Sequence, residues 1–220
     1  MANKYAYAFG EFKAKEGKEL PFVLGNKGAQ LAEMTEMGLP VPPGFTISTT
    51  ACNEFYANKQ KWPAGLEKEI KAKLVELEKK MKKKLGDEKE PLLVSVRSGA
   101  YVSMPGMMDT VLNLGMNDKS VVAFARQTKN ERAAWDSYRR FIQMFGDVVL
   151  EVEHSGFEKI LEQQKETRGV KFDTELNVED LKEIVRKYKE FVKKSKGEEF
   201  PQEPWKQLEM AINAVFNSWN

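Results

Sequence analysis

Residues 92–118, LLVSVRSGAYVSMPGMMDTVLNLGMND, carry most of the structural information in this chain. The first five residues form a short run rich in apolar and β-branched side chains, and Pro91 precedes them, which predicts a short buried strand. The strand stops at Arg97, and the loop that follows consists of small residues that cannot pack a core. The sequence therefore places one arginine at the carboxyl end of a predicted strand, where a loop begins.

This loop has the chemistry of an anion site. The guanidinium of Arg97 offers a planar set of donors that matches phosphate oxygens. Gly99 and Gly106 allow the backbone to approach a ligand closely, and successive backbone N–H groups in such a loop can surround an anion. These residues indicate a phosphate site. On the residues alone, the alternative is that Arg97 forms a surface ion pair and the glycines merely turn the chain.

Lys27 is a second candidate for an anion site. Leu31 and Met34 place one apolar face on a helix that is predicted to begin near Lys27 and to end at Gly38, before prolines that force an extended segment into Phe45–Ile47. The unpaired N–H groups and the dipole at a helix N-terminus favour an anion, and a lysine there would add to this preference. The alternative is an ordinary surface lysine.

The other elements of the first half are also predicted from apolar spacing. Tyr5, Tyr7 and Phe9 alternate with smaller residues, which predicts a half-exposed strand that forms a hairpin with the apolar run 22–24. From residue 66 to residue 85 apolar side chains recur every three or four positions, which predicts one amphipathic helix that stops at a glycine.

The second half of the chain is predicted to be helical. Helical patterns follow one another at 121–127, 131–149, 157–167 and 178–194. Asn177 and Gly197 are the expected caps of the fourth helix, and Pro204 lies in the first turn of a last one. We therefore predict an α/β lobe made of residues 1–116 with 201–220, and a helical subdomain made of residues 117–200.

Composition excludes several classes of protein. The 35 basic and 33 acidic residues give a formal charge of only +2, so no overall field attracts nucleic acid or an anionic membrane. No apolar run approaches the roughly 20 residues that span a bilayer, and the first residues lack a signal peptide's apolar core, so a cytoplasmic protein is expected. Cys52 is the single cysteine, which leaves it without a disulfide partner or a zinc site and predicts a buried helical residue.

Two segments of the chain resemble a known family. Residues 95–115 are similar to the signature S-V-R-S-G-x-x-x-S-M-P-G-M-M-D-T-[VI]-L-N-L-G of the pyruvate phosphate dikinase family. Residues 25–34, GNKGAQLAEM, and 38–45, GLPVPPGF, resemble the opening segment of the same family. Residues 136–144 and 198–204 are also similar, so the resemblance covers essentially the whole chain.

The resemblance implies a fold and an activity. The fold would be α+β, a partial ATP-grasp fold with a mixed α/β lobe and an inserted helical subdomain. The enzyme would interconvert ATP, pyruvate and phosphate with AMP, phosphoenolpyruvate and pyrophosphate through a phosphorylated histidine. Its cofactors would be ATP and Mg²⁺, with the carboxylates that bind the metal beyond residue 220.

The resemblance also implies the residues of an ATP site. Lys27 and Arg97 match the family's phosphate-contacting lysine and arginine by their motif positions. The remaining residues carried over to the ATP site are Ser98, Gly99, Ser103, Gly106 and Thr110, with the segment 103–106 as a loop over the phosphates. Asp109 matches a family residue but is given no role, and no catalytic or metal-binding residue is assigned in this chain. His154 lacks the context of the family's phosphoacceptor and is predicted to be a surface residue.

Two further expectations concern the extent of the protein. The last helix has no stop signal, which together with the resemblance predicts that the chain is an N-terminal fragment that is inactive alone. The partners implied by the resemblance are the phosphohistidine domain and the pyruvate-binding barrel of the same full-length enzyme, and that enzyme would form a homodimer. The alternative is a non-catalytic nucleotide-binding or regulatory module that kept an ATP-grasp lobe. A helical interaction protein built around residues 66–85 would not explain the segment 103–110.

Overall fold

The computed structural model describes residues 3–12, 20–99 and 110–219. The strands are short: β1 Ala6–Ala8, β2 Phe45–Ile47, β3 Lys84–Leu85, β4 Pro91–Leu92, β5 Val94–Arg97 and β6 Thr110–Leu114. The helices are α1 Leu20–Glu36, α2 Thr49–Ala57, α3 Leu66–Met81, α4 Ser120–Thr128, α5 Glu131–Val148, α6 His154–Arg168, α7 Val178–Lys196 and α8 Pro204–Asn217, and a 3-10 helix covers Asp173–Glu175.

The chain divides into two compact units. The first contains the described residues of 1–82, 98–107 and 215–220, and the second contains those of 83–97 and 108–214. The predicted division into a lobe of residues 1–116 with 201–220 and a helical subdomain of residues 117–200 stays a prediction.

The first unit is built around an antiparallel pair of strands, β1 and β2, in which Ala6 lies opposite Ile47. Helix α3 holds the start of β1, because the carboxylate of Glu69 accepts hydrogen bonds from the backbone N–H groups of Tyr5 and Ala6 at 2.7 and 2.9 Å. These bonds satisfy donors that would otherwise be left without partners where the strand begins.

The predicted hairpin between the first strand and residues 22–24 is wrong. Residues 22–24 lie in α1, where Leu20 and Leu24 are buried against Ala29 and Ala32. The partner of β1 is instead β2. A short apolar run has the same pattern in a strand and in one buried helical turn, and this run is too short to distinguish them.

The helix predicted over residues 66–85 ends early. Helix α3 stops at Met81, and Lys82 adopts a left-handed conformation with φ of 54°. Leu85 belongs to β3, which pairs in parallel with β4. Leu85 falls four positions after Met81 and so continues the helical spacing, although it lies in a strand. The spacing alone therefore predicts a helix end at Gly86, whereas the helix ends at Lys82.

The strand predicted from residues 92–96 is present but divided. Pro91 and Leu92 form β4, and β5 begins at Val94. Strand β5 pairs antiparallel with β6, with an irregularity in register between Val94 and Val96. The residues of β5 alternate between half-buried and exposed, so the expectation of a buried strand is wrong for β5.

The helical prediction for the second half is confirmed. Helix α7 begins with a capping box, in which the side chain of Asn177 accepts from the N–H of Asp180 and the side chain of Asp180 accepts from the N–H of Asn177. Gly197 ends the helix in a left-handed conformation, and Pro204 is the first residue of α8. Aromatic rings pack between the helices, including Phe157 on Tyr188 with centroids 4.9 Å apart.

The α+β class is confirmed by this mixture of helices with two-stranded sheets in the described part of the chain. Cys52 lies on α2 and is 1% exposed, as predicted. Among the described residues, no helix is both long enough and apolar enough to cross a membrane.

Candidate phosphate-binding site

Lys27 lies at the start of a helical segment, as predicted. Gly25 has φ of 69° and ψ of 170°, values that interrupt α1 and that glycine adopts without strain. The helix resumes after this kink, so Lys27 occupies the first turn of the second segment with its side chain exposed. Gly28 is buried, and a Cβ on it would lie 2.8 Å from Cγ2 of Thr46 in β2. Glycine at this position lets the helix start pack directly on the strand.

Gly99, the second residue after β5, lies on this helix start. A Cβ on Gly99 would lie 3.3 Å from Cβ of Lys27, 3.8 Å from its backbone N and 3.9 Å from the backbone N of Gly28. The distance of 3.3 Å is too short for a comfortable side-chain contact, so a residue with a side chain would push the loop away. The first unit thus brings together two segments that are 72 positions apart in sequence, since 99 minus 27 is 72.

Ser98 points into the first unit. It is 3% exposed, and its hydroxyl oxygen accepts a hydrogen bond of 3.0 Å from Nε1 of Trp219. Sequence reasoning missed Trp219. No local pattern could have found it, because the contact joins residues 121 positions apart.

Arg97 and Thr110 belong to the second unit, where they face each other across the β5–β6 pair. Arg97 is exposed and Thr110 is half-buried. The surface ion pair considered from the sequence for Arg97 is not found among the described residues.

Three residues of the motif lie outside the described part of the chain. Ser103 and Gly106, which were predicted to lie over the phosphates, and Asp109 fall outside the described residues. Among the residues that are described, no group of three or more histidine, cysteine, aspartate or glutamate side chains could hold a metal ion.

His154 is a surface residue, as predicted. It is the first residue of α6, and its side chain is 50% exposed. Its ring nitrogens lie 2.9 Å from Oδ2 of Asp147 and 3.1 Å from Oε1 of Glu158. These two carboxylates account for the position of the ring.

Comparison with known proteins identifies the class to which this fold and this loop belong. Residues 22–74 and 59–144 match the family described as pyruvate phosphate dikinase, AMP/ATP-binding domain. The two matches cover more than half of the chain, and the chain belongs to this family.

Individual relatives extend the match over the whole chain. It is 51% identical over 219 residues to the chloroplastic pyruvate, phosphate dikinase of Flaveria trinervia, which covers 100% of this chain and 23% of the relative. It is 52% identical over 218 residues to pyruvate, phosphate dikinase of Clostridium symbiosum, which covers 99% of this chain and 24% of the relative. The chain thus spans about a quarter of the length of these relatives. Because plant relatives are named chloroplastic, a cytoplasmic location stays a prediction.

Proposed function

We propose that this chain binds the phosphates of ATP as part of a pyruvate phosphate dikinase, an enzyme that interconverts ATP, pyruvate and phosphate with AMP, phosphoenolpyruvate and pyrophosphate. One observation carries the proposal: Gly99 lies against the helix start that presents Lys27. A glycine loop against the N-terminus of a helix offers backbone N–H groups to an anion, and the lysine adds a positive charge. Family membership supports ATP or AMP as the ligand.

Each residue has a role in this proposal. The ammonium of Lys27 and the guanidinium of Arg97 neutralise and orient the phosphate chain, because phosphoryl transfer is catalysed mainly by positioning and charge stabilisation. Gly99 keeps the backbone close to the ligand. Ser103, Gly106 and Thr110 are proposed to complete the site by their positions in the family motif, and Ser98 contributes through the position of its backbone.

The proposal extends to the whole enzyme. The fold would be part of an ATP-grasp fold, and the phosphohistidine domain, the pyruvate-binding barrel and the carboxylates for Mg²⁺ would be supplied by regions that the chain does not contain. A homodimer would form through those regions. These proposals rest on family membership and on the fraction of the relatives that the chain spans.

The proposal is tested by measuring ATP affinity with titration calorimetry. Lys27→Met and Arg97→Met should each weaken ATP binding by about tenfold or more, since a hydrogen bond to a charged group contributes about 1.5–3 kcal/mol. Lys68→Met on α3 and Arg126→Met on α4 are matched controls, because they remove the same charges at exposed positions elsewhere. ATP binding by both Lys27→Met and Arg97→Met at the strength of the unchanged protein would contradict the proposal.

A further inference from the structure

The indole of Trp219 contacts the loop after β5 inside the first unit. Its Nε1 donates a hydrogen bond of 3.0 Å to the hydroxyl oxygen of Ser98. Indole nitrogen can only donate, so the direction of this bond is fixed. Ser98 is 3% exposed, which shields the bond from competition with water.

Trp219 is itself held in place through Phe216, three residues before it. The ring of Phe216 packs on Phe55 of α2 with centroids 5.2 Å apart, and its carbonyl oxygen accepts a hydrogen bond from the hydroxyl of Tyr56. The backbone N–H of Trp219 donates to the same carbonyl oxygen at 3.1 Å. Contacts with α2 therefore fix the backbone that carries the indole, and this backbone places the indole next to Ser98.

The next residue of the loop touches the helix that carries Lys27. Gly99 follows Ser98 directly and lies so close to Lys27 that a Cβ would be 3.3 Å from the Cβ of that residue. A bond that fixes Ser98 therefore restricts Gly99, because the two residues share one peptide bond. The contacts run in order from α2 through Phe216, Trp219, Ser98 and Gly99 to the start of the helical segment with Lys27.

We propose that Trp219 is a positioning residue for phosphate binding: its hydrogen bond to Ser98 holds Gly99 against the helix start before the ligand arrives. The inference rests on the proposed function and adds a residue to it. A loop that is already ordered loses less conformational entropy on binding, so its affinity for the ligand is higher. The hydroxyl oxygen of Ser98 is engaged in this anchoring.

The test compares ATP and inorganic tripolyphosphate binding to four proteins: the unchanged chain, Trp219→Phe, Ser98→Ala and the double variant. Trp219→Phe keeps an aromatic ring and removes the donor, whereas Ser98→Ala removes the acceptor. Each single variant should bind both probes about three- to tenfold more weakly, the range expected for one hydrogen bond. The double variant should be no weaker than the single ones, because both changes break the same bond. A purely structural role would not produce this non-additivity in phosphate affinity.

Trp135→Phe is the matched control. It makes the same chemical change on α5 in the second unit, where the ring packs on Tyr138, and it should bind both probes like the unchanged chain. Thermal unfolding of each variant shows whether the fold is retained.

Three results would overturn the inference. They are unchanged affinity in both single variants, losses that add fully in the double variant, and an equal loss in Trp135→Phe. If the unchanged chain binds neither probe, the proposed function itself fails. If the unchanged chain binds both probes and the Trp219→Phe and Ser98→Ala variants bind them equally tightly, only the proposed role of Trp219 is wrong.

Discussion

Arg139 carries a charge into the core of the second unit. It lies on α5 with 2% exposure, and its guanidinium contacts Asp136 at 2.7 Å and Asp173 at 3.3 Å. Burial acts to lower the pKa of Arg139, but the charge and hydrogen bond of Asp136 outweigh burial and raise this pKa. Arg139→Ala would remove a buried side chain and the guanidinium that compensates the half-buried carboxylate of Asp136 from inside the unit, and we expect it to lower the free energy of unfolding by about 3–5 kcal/mol in urea denaturation.

Arg140 provides a control at the next position. It pairs with the same carboxylate, Asp136, at 2.9 Å, but its side chain is 60% exposed. Arg140→Ala should change the free energy of unfolding by less than about 1 kcal/mol, because exposed ion pairs contribute little. Equal losses in Arg139→Ala and Arg140→Ala would show that burial does not set the strength of these pairs.

His154 gives a pH-dependent contribution to stability. Burial acts to lower its pKa, but the hydrogen bonds and charges of Asp147 and Glu158 outweigh burial and raise the pKa above the usual 6.5. The stabilisation is therefore fully present below pH 6.5 and is lost as the pH rises through the folded-state pKa. Because His154 is the single histidine, NMR titration reports it directly.

The control for this titration is Asp147→Asn, which removes one of the two charges. The pKa of His154 should then fall back toward its usual value. A titration of the unchanged protein at or below pH 6.5 would contradict the assignment of these carboxylates as the cause.

Cys52 should be chemically inert in the folded protein. It is 1% exposed on α2, and burial raises the pKa of its thiol to about 12, so the reactive thiolate is scarce at neutral pH. We expect almost no reaction with a thiol reagent such as DTNB at pH 8, and one equivalent after unfolding, because the chain has one cysteine. Rapid modification without denaturant would contradict this.

Residue-level predictions from sequence succeed where chemistry is local. The burial of Cys52, the exposure of His154 and the placement of Lys27 at a helix start follow from residue type and nearby caps. The Trp219–Ser98 bond was not predicted, because tertiary packing alone brings these two residues together.

At the scale of elements, helix α6 packs closely on α7 at Gly156. A Cβ on Gly156 would lie 2.1 Å from Cζ of Phe191. Gly156→Ala should therefore lower the free energy of unfolding by about 1–3 kcal/mol in urea denaturation, as overpacking does. Phe191→Leu in the same chain should recover part of this loss.

Ser155→Ala is the control for this prediction. Ser155 precedes Gly156 and is exposed, so its replacement should change stability by less than about 0.5 kcal/mol. If Gly156→Ala is as stable as the unchanged protein, the close approach of the two helices is not needed for packing.

Elements with caps were predicted more accurately than elements without them. Asn177 and Gly197 are the predicted and the observed caps of α7, because a cap depends only on residues within a few positions of the helix end. The apolar run 22–24 predicts a strand because Ala29 and Ala32, against which Leu24 is buried, follow the kink at Gly25 and lie outside a short sequence window. The end of α3 was missed because Leu85 continues the helical spacing within a strand.

At the scale of the whole molecule, the activity is expected to require more than this chain. It spans 23% of the Flaveria trinervia relative, so we expect no turnover of pyruvate by the chain alone.

In a full-length enzyme that contains this region, ATP should phosphorylate the histidine of the proposed phosphohistidine domain. Arg97→Ala should slow this step strongly, because removal of one charge-stabilising donor costs about 10²–10³ in rate. Autoradiography with [β-³²P]ATP measures the labelled enzyme, and normal labelling of Arg97→Ala would count against the proposed role.

We propose that Lys27 and Arg97 bind one phosphate chain, and a crystal structure of this chain with a non-hydrolysable ATP analogue tests this most directly. Nζ of Lys27 and the guanidinium of Arg97 should both lie about 3 Å from phosphate oxygens of the same molecule, with Gly99 beside them. An analogue bound elsewhere, or bound with either side chain turned away from the phosphates, would contradict the proposed role of these two residues.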